Sequence, residues 1–88
     1  MTKKQHIDYW IRSSNVDWKR VSLLVKGKDY VFALFSAHLS LEKLCKAIWV
    51  KENQSNHPPR IHNLIWILEG TSFELNEDDH TFLRTMND

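Results

Sequence analysis

Eighty-eight residues suffice for one small domain and leave no room for separate catalytic and regulatory halves. Hydrophobic residues make up 42% and charged residues 26%, with twelve Lys and Arg against eleven Asp and Glu for a net charge of +1. That balance excludes a strongly basic nucleic-acid wrapper and an acidic disordered tail, and two Gly and two Pro are too few for a turn-rich all-β fold. The lone cysteine, Cys45, excludes a disulfide scaffold and points to a reducing cytoplasm. No run approaches the roughly 18 apolar residues that a membrane span needs, and the polar start, Met1 to His6, does not read as a signal peptide.

The first predicted helix runs from about Gln5 to Lys26, with Ile7, Ile11, Trp18, Val21 and Val25 at helical spacing and Ser14 filling the gap. Gly27 suits a left-handed stop, and Asp29 can cap the next helix, so the first two helices should lie antiparallel. The second helix is expected from about Tyr30 to Lys51 and is apolar on two sides. One face carries Tyr30, Ala33, Leu34, Ala37, Leu41, Leu44, Cys45 and Ile48, and the opposite side Phe32, Phe35, Leu39 and Val50. Such a helix is central in a bundle or half used for a partner. Ala33 and Ala37 permit close helix approach and favour the first face as the internal one. On that face Cys45 reads as a core residue rather than a nucleophile.

Glu52 to Arg60 is polar, aperiodic and holds the proline pair, so it reads as a loop. A short third helix follows from about Ile61 to Glu69, apolar almost all round and expected to be well buried, with Gly70 ending it. Thr71 to Leu75 reads as a linker. Asn76 should cap a fourth helix whose first turn holds Glu77, Asp78 and Asp79, where the macrodipole favours negative charge. The fourth helix reaches Asp88 without a C-cap signal, from which a continuation past this residue is expected. The fold class is therefore all-α: an antiparallel up-and-down bundle of about four helices in one domain, 1–88. The four tryptophans, Trp10, Trp18, Trp49 and Trp66, are expected to supply packing area.

Two segments could carry chemistry. Glu42 and Lys46, four apart with the acid N-terminal, either form a stabilising helical ion pair or, with Lys43, flank a groove that meets a ligand or another helix. The run from Pro58 to Leu64 brings Arg60 and His62 to a helix entrance that could receive an anion; alternatively His62 is a surface or capping residue, and Arg60 pairs with a carboxylate of the fourth helix. The five histidines show no metal-binding spacing, and neither a Gly-rich phosphate loop nor a Ser/His/Asp arrangement is present. No catalytic residue, metal or cofactor is assigned, and no strong nucleic-acid signature appears.

The run from Phe35 to Ala47, containing Glu42-Lys43-Leu44-Cys45-Lys46-Ala47, resembles the Glu-Lys-x-x-Lys-Ala motif of HEPN domains. Ile61-His62-Asn63-Leu64 stands where that family shows Thr-His-Asp-Leu. Tyr9-Trp10, Asp17 and Lys28-Asp29-Tyr30 resemble its opening, so the likeness covers nearly the whole chain. The chain departs from the pattern at Leu39 and Ser40, which replace Gln and Ala, and at Ile61 and Asn63. The resemblance implies a helical bundle that is usually a homodimer. It further implies a binding module of the type encoded beside a minimal nucleotidyltransferase, acting with that partner, as in toxin–antitoxin pairs, or binding nucleotide through Glu42, Lys43, Lys46, Arg60 and His62. Other members are metal-independent ribonucleases with an Arg followed about four to six residues later by a His. Arg12, Arg20 and Arg60 lack that spacing, so such a motif would have to lie beyond residue 88. A purely structural oligomerisation bundle is the third reading.

Overall fold

The computed structural model describes residues 1–72 and 74–87. Phe73, in the expected linker, and Asp88, where the fourth helix shows no stop signal, lie outside the described residues. Four helices follow in order: α1 (Lys3–Lys26), α2 (Tyr30–Glu52), α3 (Leu64–Glu69) and α4 (Glu77–Asn87). This is the expected all-α bundle. α1 packs on α2, α2 on α3, and α3 on α4.

Local chemistry sets the helix ends. α1 starts two residues earlier than its apolar pattern suggests because Thr2 and Gln5 form a capping box: Gln5 N–H donates to Thr2 Oγ1 at 3.1 Å, and Thr2 N–H donates to Gln5 Oε1 at 2.8 Å. At the α1–α2 joint the left-handed residue is Lys28, with φ of 60°, and not Gly27, whose φ is −81°. Asp29 caps α2 as expected, accepting from Phe32 N–H. α3 begins at Leu64 rather than Ile61, because Asn63 accepts from the N–H groups of Ile65 and Trp66 and thereby places the first turn after itself. Asn76 and Asp79 cap α4 reciprocally.

The two seams of the bundle differ in chemistry. Between α2, α3 and α4 lies the apolar core, formed by Cys45, Leu64, Ile67, Leu68 and Leu83, with Leu41, Ile48, Trp49 and Ile65 packed against it. Between α1 and α2 the contact is the most extensive in the bundle, and small and polar residues lie buried in it. Ser14 Oγ donates to the Ser40 carbonyl at 2.8 Å, and Ser40 Oγ returns a bond to the Ser14 carbonyl at 3.0 Å. Asp17, also buried, points at Lys43. At the other end of the seam Lys3 Nζ donates to the carbonyls of Val50 and Asn53, both at 2.6 Å, and so closes the C-terminus of α2.

This seam corrects several expectations. On α1 the buried residues are Ser14 and Asp17, while Ile11, Trp18 and Val25 are exposed. On α2 the division into two faces fails: Tyr30, Leu34 and Leu44 of the expected internal face are exposed, and Val50 of the opposite face is fully buried. Trp66 is exposed too, so α3 is not buried all round. For Tyr30 and Leu34, at the start of α2, the physical reason is length. α2 has 23 residues and α3 only six, so at 1.5 Å per residue they span about 34 and 9 Å. α3 and the eleven-residue α4 cover the C-terminal half of α2 and leave much of the N-terminal half bare.

Candidate functional site

The site is built around Glu42, which the turn geometry of α2 places in the middle of the helix and buries. Its Oε1 accepts from His62 Nδ1 at 2.6 Å, and its Oε2 lies 3.6 Å from Lys46 Nζ, one helical turn on. Because a carboxylate only accepts, this contact puts the imidazole hydrogen on Nδ1, and the rest of the 81% exposed ring faces outward. Lys46, itself buried, stacks its ammonium 5.4 Å from the centroid of the Trp10 ring. Glu42 therefore stands between two surfaces of opposite character.

The first surface is an apolar groove of about 520 Å³ along the bare half of α2, lined by Val31, Leu34, Phe35 and Leu39, with Met86 of α4 and the rings of His38 and His62. Phe32 and Tyr30 extend the exposed apolar area toward the helix start. The second is a cleft of about 420 Å³ between the first turns of α1 and the loop that follows α2. Its walls are His6, Tyr9 and Trp10 on one side and Asn56, His57 and Arg60 on the other, with Lys46 at the floor. The loop is held there by Lys3 and by Asn53, whose Nδ2 donates to the carbonyls of Trp49 and Gly70.

Of the residues singled out in the sequence, Glu42, Lys46 and His62 meet, and Arg60 lines the same cleft as Lys46. The expected partner for Arg60 on α4 is not seen: among the described residues it forms no ion pair. Lys43 is turned away, its Nζ 2.6 Å from Asp17 Oδ2. Asp17, Trp10, His6, Asn56 and His57 were not singled out as site residues. Asp17 left a signal, since an acid three residues after Ser14 lies on the same helical face. The cleft residues left none, because only the fold brings residue 6 to residue 57, with the two rings 5.8 Å apart. Cys45 is buried, and that burial, with the neighbouring Glu42 carboxylate, pushes its thiol up to about 11, so it is a poor nucleophile. Among the described residues no three His, Cys, Asp or Glu side chains gather as a metal ion would require, and no helix is long and apolar enough to cross a membrane.

Compared with known proteins, the chain matches the family model of the HEPN domain over residues 7–88. Neither a curated protein nor a solved structure matched it.

Proposed function

The chain belongs to the HEPN family, and from that membership we propose that it is a HEPN-type binding module that pairs with a second copy through α2. The module acts with a nucleotidyltransferase partner, binds nucleotide, or does both, and works in the cytoplasm. The observation that carries the pairing is the bare half of α2, where Val31 is 79% and Phe35 58% exposed beside Leu34 and Phe32. A contiguous apolar surface of this kind on a small domain marks a contact site rather than a solvated face. A two-fold axis across α2 would set each copy's Phe35 against the other's groove and need no second patch.

Sedimentation equilibrium over a range of concentrations tests this. A dimer is expected, and Phe35→Glu should weaken it about thirtyfold or more, the loss typical of a central aromatic anchor. A wild-type chain that stays monomeric at high concentration would refute the pairing. Co-purification with a nucleotidyltransferase encoded beside it tests the partner. The purely structural bundle makes the same dimer prediction but binds neither nucleotide nor enzyme.

A further inference from the structure

We propose that the cleft between the first turns of α1 and the loop after α2 takes a nucleoside bearing a terminal phosphate, with the base against Tyr9 and Trp10 and the phosphate between Lys46, Arg60 and His57. The proposal rests on the nucleotide reading above and gives it a place and a mode. Four features of the cleft converge on this ligand.

First, the lining residues include two fixed cations and two histidines and not one carboxylate. Second, Lys46 is held in an incomplete arrangement. Its side chain is only 10% exposed, yet the Glu42 oxygen paired with it lies at 3.6 Å, beyond an ordinary hydrogen bond. An ammonium drawn this far from water is best satisfied by a second anion, and Lys46 lines the cleft from which one could arrive. Third, the aromatic wall is preset: Tyr9 and Trp10 meet edge to face at 5.3 Å, and Tyr9 is half exposed, which leaves ring surface for a planar base. Fourth, Asn56 Oδ1 is buried without a hydrogen-bond partner among the described residues. A buried acceptor of this kind is costly, and a turn of the Asn56 amide toward the cleft would let an exocyclic amino group relieve it. The volume, about 420 Å³, suits one nucleotide and not an extended strand.

Such a phosphate can belong to a free nucleotide or to the 5′ end of a nucleic acid. Titration calorimetry would use AMP, adenosine, inorganic phosphate and a short 5′-phosphorylated oligonucleotide, with amide shifts followed by NMR. AMP or the phosphorylated end should bind and shift the amides of residues 6–10 and 56–60. Arg60→Ala and His57→Ala should each weaken binding about tenfold, whereas Lys19→Ala, the same loss of charge on an exposed part of α1, should not. The tighter of AMP and oligonucleotide identifies the source. Binding that both cleft variants leave intact, or shifts confined to the α2 groove, would overturn the cleft while leaving the nucleotide reading standing. Adenosine or inorganic phosphate binding as tightly as AMP would overturn the two-part recognition. Absence of binding by every probe at millimolar concentration would overturn both readings.

Discussion

Replacing Lys43 with Met isolates the polar seam of the α1–α2 hairpin. The Asp17 side chain is 3% exposed and has two cations, Lys43 Nζ at 2.6 Å and Arg20 Nη1 at 3.2 Å. Arg20 is 61% exposed and screened by water, so it compensates little. Breaking a buried pair so that one charge is stranded costs about 3–5 kcal/mol. With Arg20 still in contact and Lys43 itself 23% exposed, the expected loss for Lys43→Met is about 2–3 kcal/mol. The reverse change, Asp17→Asn, should cost about 1 kcal/mol, because the freed lysine can turn its ammonium to water. An 88-residue domain has about 4–13 kcal/mol in hand, so Lys43→Met removes a large share and should lower Tm by about 10–20 °C. Urea unfolding at one fixed protein concentration is the assay, since pairing of copies makes the midpoint concentration-dependent. The midpoint should fall with the slope unchanged, and the double variant should be less destabilised than the sum of the two. If Lys43→Met falls within about 0.5 kcal/mol of wild type, as an ordinary surface change does, or Asp17→Asn proves the costlier, then the stranded-carboxylate reasoning fails. Nucleotide affinity should be untouched, because Lys43 lines neither the groove nor the cleft.

Two further predictions concern the apolar core. A Cβ at Gly70 would stand 2.7 Å from Trp49 Nε1 and 3.0 Å from its Cδ1, so Gly70→Ala should destabilise by about 1–3 kcal/mol through crowding, read as a lower thermal midpoint. A wild-type midpoint would mean that the ring moves freely. The Cys45 thiol, raised from 9.0 to about 11, should react with a thiol reagent at pH 8 about a hundredfold more slowly in the folded chain than in urea. The folded thiol stays neutral between about pH 9 and 11 while the unfolded one ionises, so its contribution to stability is complete below pH 9 and lost as pH rises through 11. Equal rates in both states would contradict that burial.

The order of the helices was readable because their boundaries are local: Asp29, Asn76 and the proline-containing loop each act on neighbours within a turn. The assignment of faces was not. Hydrophobic periodicity puts apolar residues inward, but α1 and α2 meet through Ser14, Ser40 and a buried ion pair, and Trp18 and Trp66 go to the surface instead. Lys43 and Lys46 show the same limit within one motif. Three residues apart on one helix, they turn to different partners: the four-residue spacing already offers Glu42 to Lys46, whereas the pairing of Lys43 with Asp17 depends on the position of α1. His62 was placed at a helix entrance by sequence, yet its contact with Glu42, twenty residues earlier, depends on how the loop returns.

The joint at Gly27, Lys28 and Asp29 also has an architectural consequence. Three residues, one of them a lysine in a left-handed conformation that a side chain adopts reluctantly, reverse the chain over a short distance. α2 must therefore begin level with the end of α1, and its first two turns, Tyr30 to Phe35, emerge at the tip of a stiff two-rod prong. α3 and α4 are attached at the far end of α2, and Met86 of α4, which reaches the groove beside Val31, Leu34 and Phe35, still leaves Val31 79% and Phe35 58% exposed. The stickiness of that tip is thus dictated by connection length and rod length rather than by any one residue. A second prong laid alongside would shield it with no change to the first.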